Sequence, residues 1–114
     1  MWLNINDMSK WAYFQCVKGN DTKEIRDLIT DSYWAYLYCK RVKSVQEVRK
    51  FITRDKDIYY YCRYIEDRKD MWSKLKSHSW LLRYHQDIRS RREIWDKYVE
   101  AMSYINVREE MKYE

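Results

Sequence analysis

The chain has 114 residues, no proline, a single glycine, 12 tyrosines, 6 tryptophans and a formal net charge of +5. That length suits one domain, and so few turn-forming residues exclude a sheet-rich fold with its many tight turns. Aromatics this dense argue against disorder, no run of about 18 apolar residues exists to span a membrane, and three cysteines fit a reducing compartment better than a disulfide framework.

In chain order, Met1 to Asp7 has neither the basic start nor the apolar stretch of a signal peptide, so a cytoplasmic location is the expectation. From Trp11 onward the text repeats. Cys16, Cys39 and Cys62 are each 23 residues apart, and the next step lands on His85. Around them stand Trp11-Ala-Tyr-Phe-Gln-Cys16, Trp34-Ala-Tyr-Leu-Tyr-Cys39, Asp57-Ile-Tyr-Tyr-Tyr-Cys62 and Trp80-Leu-Leu-Arg-Tyr-His85. The period divides a single domain, 1–114, into units 11–33, 34–56, 57–79 and 80–102. Residues 1–10 form a partial leading unit and 103–114 a partial terminal one, which makes about four and a half units.

Each unit predicts two helices of about nine residues. The first carries apolar groups at i, i+4 and i+7, as in Ala35, Cys39 and Val42, or Ile58, Cys62 and Ile65. Asp31-Ser32, Asp55 and Ser77 or Ser79 are its expected caps. In the second, Ile25, Val48, Met71 and Ile94 are followed four residues later by Ile29, Ile52, Leu75 and Tyr98. Before these stand Asp21, Ser44, Asp67 and Ser90, with Glu24, Glu47, Asp70 and Glu93 three residues on, which predicts a capping box in every unit. Helices this short are unstable alone. They must stack, so the expected fold is all-α, a small α-solenoid of tandem 23-residue helix-turn-helix units.

This pattern resembles the short αα repeats of about 23 residues found in phage and bacterial proteins. The likeness covers residues 11–102 and is clearest in Asp31-Ser-Tyr-Trp-Ala-Tyr-Leu-Tyr-Cys39 and Glu47-Val-Arg-Lys-Phe-Ile52. Cys or His stands where that family has Ala, and its Gly-Arg-Trp turn is missing. The resemblance implies the fold and a phage or bacterial origin, and it carries no single activity.

The cysteine column, continued by His85, has the ligand types of a zinc site. Stacked helices lie about 8–10 Å apart, whereas zinc needs every ligand atom within about 2.3 Å, so the column reads as core filler. Neighbouring thiols also exceed the roughly 7 Å Cα separation of a disulfide. Neither His78, placed in an inter-helix turn, nor His85 has a nucleophile beside it. One glycine cannot form a phosphate loop, and the acids at Glu24, Glu47, Asp70 and Glu93 read as caps. No catalytic residue, metal or cofactor is expected.

The fourth first-helix position, Phe14, Leu37, Tyr60 and Arg83, points about 160° from the centre of the core face, given 100° per residue. Either it forms an apolar ridge fringed with positive charge, or neighbouring helices bury it. On the first alternative, Leu37, Lys40, Arg41, Tyr60, Arg63, Tyr64 and Arg83 are the candidate partner-binding residues. The cluster Arg89, Arg91 and Arg92 reads as a solvated basic loop.

The expected function is a non-enzymatic protein-binding module. Small size and the family resemblance extend this to a phage-encoded inhibitor of a host defence protein, acting in the host cytoplasm. The alternative is nucleic-acid binding through residues 40–92, where 16 basic and 7 acidic groups leave +9, with Tyr60, Tyr64 or Trp72 stacking on bases. An apolar end at Ile105 and Met111 offers a route to a homo-oligomer.

Overall fold

A computed structural model describes the backbone of residues 4–112 and the side chains of residues 4–105. Every regular element among them is helical: α1 Ile5–Val17, α2 Lys23–Arg26, α3 Ser32–Arg41, α4 Gln46–Arg49, α5 Asp55–Tyr64, α6 Lys69–Trp72, α7 His78–Asp87 and α8 Arg92–Lys112. Helices α3, α5 and α7 span 10 residues each, and their first residues are spaced by 23, as are those of the four-residue helices α2, α4 and α6. The longer helices form a row in which α1 packs on α3, α3 on α5 and α5 on α7, while α2, α4 and α6 each pack on the helix before them. Extents of 57 × 34 × 17 Å and a radius of gyration of 17.2 Å describe a thin, elongated body. A compact chain of this length would have a radius of about 13 Å.

The core runs along the row. Ala12 and Cys16, Ala35 and Cys39, Ile58 and Cys62, and Leu81 are buried on the first helices, with Ile29, Val48, Ile52, Met71, Leu75 and Ile94 facing them. Tyrosine fills what these small side chains leave: Tyr38, Tyr59, Tyr61 and Tyr84 are wholly enclosed. A tyrosine can be buried so deeply only if its hydroxyl finds a partner. Tyr38 donates to Asp21 Oδ2 at 2.9 Å, Tyr84 to Asp67 Oδ1 at 2.5 Å, and Tyr61 pairs with Ser44 Oγ.

Those bonds correct the predicted capping boxes. Asp21, Ser44 and Asp67 spend their oxygens on a tyrosine 17 residues ahead rather than on their own helix starts. Thr22 caps α2 instead, and α4 and α6 have no side-chain cap. Asp31 does cap α3, accepting from the amides of Tyr33 and Trp34, but Asp55 and Ser77 do not cap α5 and α7.

The predicted nine-residue second helices are also shorter, for a related reason. Ser9 Oγ accepts from the amides of Thr30 and Asp31 at 3.1 and 3.0 Å, and Ser32 Oγ from those of Thr53 and Arg54 at 3.0 and 3.1 Å. Asp55 does the same for Lys76 and Ser77. Each first helix thus holds two amides of the next connection and draws the chain out of its second helix after one turn. The fourth member of this column is His78, the exposed first residue of α7 rather than a turn residue. Among the described residues no such clasp reaches Val99 and Glu100, and α8 runs unbroken through its 21 residues, continuing across Ser103, where the sequence suggests a fresh unit.

Arg91 is likewise not a solvated loop residue. Its guanidinium lies 4.9 Å over the Trp72 ring, and it bonds Tyr84 Oη at 2.6 Å and Asp67 at 2.8 Å. Arg26 and Arg49 serve Asp21 and Ser44 from within their own units. Where Trp72 takes that position, an arginine from further along supplies the charge.

Candidate functional site

Side-by-side packing brings the first, third and fourth positions of successive units together at each junction. Between α1 and α3, Trp34 lies 5.4 Å from the Tyr13 ring and 6.0 Å from that of Phe14, and its indole N–H donates to Asn6 Oδ1 at 2.7 Å. Between α5 and α7, Trp80 lies 5.4 Å from Tyr59 and 6.3 Å from Tyr60. Between α3 and α5 the same position is Asp57, whose short side chain leaves Leu37 and Tyr60 half-exposed beside the buried Tyr36. A groove of about 860 Å³ opens there.

Its walls are Tyr33, Tyr36, Leu37, Tyr60 and Tyr64, with Lys40, Arg54, Lys56, Asp31 and Asp57 contributing charge. The Tyr60 and Tyr64 rings stack at 5.8 Å, Tyr36 and Tyr60 meet at 6.5 Å, and Lys40 Nζ sits 5.4 Å over Tyr64. Burial raises the Tyr36 phenol, and nearby Tyr64 and Asp57 push it the same way, so this buried side chain stays neutral.

The two acids are committed within the fold. Asp57 is buried and accepts from Ser32 Oγ at 2.7 Å and Arg54 Nε at 3.2 Å, while Asp31 caps α3 and lies 3.5 Å from Arg54. Lys40 and Lys56 make no ion pair among the described residues. The groove therefore offers aromatic faces and two positive charges, Lys40 and Lys56, with no carboxylate partner among the described residues.

Of the expected binding residues, Leu37, Lys40, Tyr60 and Tyr64 line this groove. Arg63 and Arg83 lie beside it toward α7. Arg63 donates to Tyr59 Oη at 2.8 Å and its guanidinium lies 5.3 Å over Tyr64, while Arg83 lies 4.8 Å over Trp80 and 5.2 Å over Tyr59. Arg41 is exposed at the end of α3 and is not part of the lining. The fourth position is thus partly exposed: Phe14 by 44%, Arg83 openly, Leu37 and Tyr60 by less.

Sequence reasoning missed Asn6, Asp31, Tyr33, Tyr36, Arg54, Lys56 and Asp57. The repeat held the signal, since Asp31 and Arg54, Tyr33 and Lys56, and Leu37 and Tyr60 occupy the same columns of adjoining units. The break in the tryptophan column at Asp57 marked where the junction would be open.

The thiols are free and buried, and burial pushes Cys16 and Cys39 up to about 11 and Cys62 to about 12. Thiols so hard to ionise are poor nucleophiles and poor ligands. His85, half-buried, packs its ring 4.9 Å from Trp95. Among the described residues, no three His, Cys, Asp or Glu side chains converge as a metal site, and no helix is long and apolar enough to cross a membrane. At the ends of the row, α1 exposes Ile5, Met8, Trp11, Phe14 and Val17, and α8 exposes Trp95, Val99 and Tyr104. Ile105 is half-buried, and the side chain of Met111 lies outside the described residues.

Comparison with known proteins found no family model, no curated protein and no solved structure that matches this chain.

Proposed function

We propose that the chain is a small α-solenoid of tandem 23-residue units that binds a partner protein through the groove between α3 and α5. The repeated helix starts and the recurrent serine and tyrosine bonds between units support the architecture. The observation that carries the function is the groove itself, where tyrosine faces lie open beside two unpaired lysines. Aromatic surface with adjacent cations is the composition that dominates protein recognition energetics. Lys40 and Lys56 favour a partner segment bearing carboxylates.

A nuclease-treated bacterial lysate, passed over the immobilised protein and over a Lys40→Glu/Tyr60→Ala variant, tests this. Each retained protein is then purified and its affinity measured directly. The expected result is a purified protein bound by the wild type and weakened about tenfold or more by the variant. The second reading, single-stranded nucleic acid, is favoured by the same stacked tyrosines. Binding of a thymidine oligonucleotide that falls steeply with salt, with no protein retained, would overturn the first reading in its favour.

A further inference from the structure

We infer that the groove between α3 and α5 is the open seat of a tryptophan, and that it takes an aromatic side chain, an indole best, from a partner segment flanked by acidic residues. This rests on the protein-binding reading above and names the chemistry of the partner.

The first position of the four units reads Trp11, Trp34, Asp57 and Trp80. At both junctions where the tryptophan has a wall to meet, it lies on the third- and fourth-position side chains of the preceding helix: Trp34 on Tyr13 and Phe14, Trp80 on Tyr59 and Tyr60. The corresponding wall between α3 and α5 is Tyr36 and Leu37, and both line the groove. The seat is therefore built to the same plan as two filled ones, at the same helix spacing in sequence.

Asp57 does not fill it. Its carboxylate turns to Ser32 and Arg54, which anchors α5 to α3 and leaves Leu37 and Tyr60 half-exposed beside the buried Tyr36. An incoming ring would lie on Leu37 and meet Tyr60 at the 4.5–7 Å typical of aromatic pairs. The volume of about 860 Å³ exceeds one ring and suits a short peptide stretch. On the rim, Lys40 in the last turn of α3 and Lys56 in the first turn of α5 would meet carboxylates flanking the ring.

The test titrates two blocked tripeptides, acetyl-Glu-Trp-Glu-amide and acetyl-Glu-Ala-Glu-amide, into 15N-labelled protein. Saturable shifts at the amides of Tyr36, Leu37, Lys40 and Tyr60 are expected with the tryptophan peptide and not with the alanine one. Asp57→Trp, which supplies the indole from within, is expected to abolish them. Should that variant fail to fold, Tyr60→Ala is expected to weaken binding about tenfold. Equal shifts from both peptides, or shifts confined to other surfaces, would overturn the inference.

A partner captured as above that is lost with Lys40→Glu/Tyr60→Ala, while the tryptophan peptide leaves the spectrum unchanged, would overturn it and leave the protein-binding reading standing. Self-association that Asp57→Trp abolishes would seat a tryptophan of a second copy in the groove, and so would overturn a foreign partner.

Discussion

Replacing Ser32 by Ala removes one hydroxyl that three groups share. Ser32 Oγ accepts from the amides of Thr53 and Arg54 and donates to Asp57 Oδ2 at 2.7 Å, all at a site where the residue is 6% exposed. A neutral hydrogen bond contributes about 1 kcal/mol and one to a charged group about 1.5–3, with the penalty larger when the stranded group is buried. The expected loss is therefore about 3–4 kcal/mol out of a total of roughly 5–15.

Two sister variants remove fewer or more exposed bonds of the same kind. Ser9→Ala strands the amides of Thr30 and Asp31 but no carboxylate, so it is expected to cost about 2 kcal/mol. Asp55→Ala releases the amides of Lys76 and Ser77 at an exposed site where water substitutes, and should cost about 1 kcal/mol. Ser79→Ala, exposed on α7, is the control. Urea unfolding followed by far-ultraviolet circular dichroism ranks them. If Ser32→Ala falls within about 0.5 kcal/mol of the control, the clasp between units does not hold the fold together.

Tyr84→Phe leaves Asp67 and Arg91 without their shared buried hydroxyl and is expected to cost about 1–2 kcal/mol in the same assay, against near zero for Tyr104→Phe on the exposed face of α8. Burial raises the thiols of Cys39 and Cys62 to about 11 and about 12 from 9.0. That stability is complete below pH 9 and is lost as pH rises toward the folded values, about 2 kcal/mol per thiol by pH 10.5. Urea midpoints should fall between pH 8.5 and pH 10.5, and Cys39→Ala/Cys62→Ala should flatten that slope; an unchanged slope counts against it. His78→Ser restores the clasp residue found at Ser9 and Ser32, so Cα shifts at Val99 and Glu100 should become less helical. Unaltered shifts there would mean that something other than the missing acceptor keeps α8 continuous.

The all-helical class, the 23-residue rhythm of helix starts and the buried columns are legible in the sequence. Those depend on local periodicity and on apolar side chains that must leave water, and both are written in one dimension. Four of the groove's lining residues were legible there too as one of two alternatives, Leu37 and Tyr60 opposite the core face with Lys40 and Tyr64 beside them, but how far neighbouring helices cover them was not. Where the polar side chains turn depends instead on packing between units. Asp21 and Ser44 looked like local caps and became hydrogen-bond partners of tyrosines from the next unit, and Ser32 reached two amides 21 and 22 residues ahead. A hydroxyl or carboxylate has several partners of similar strength within reach, and its choice depends on which helix end the fold places beside it. The length of α8 and the opening of the groove followed from the same cause, through one histidine and one aspartate at positions where their sister units hold an acceptor and an indole.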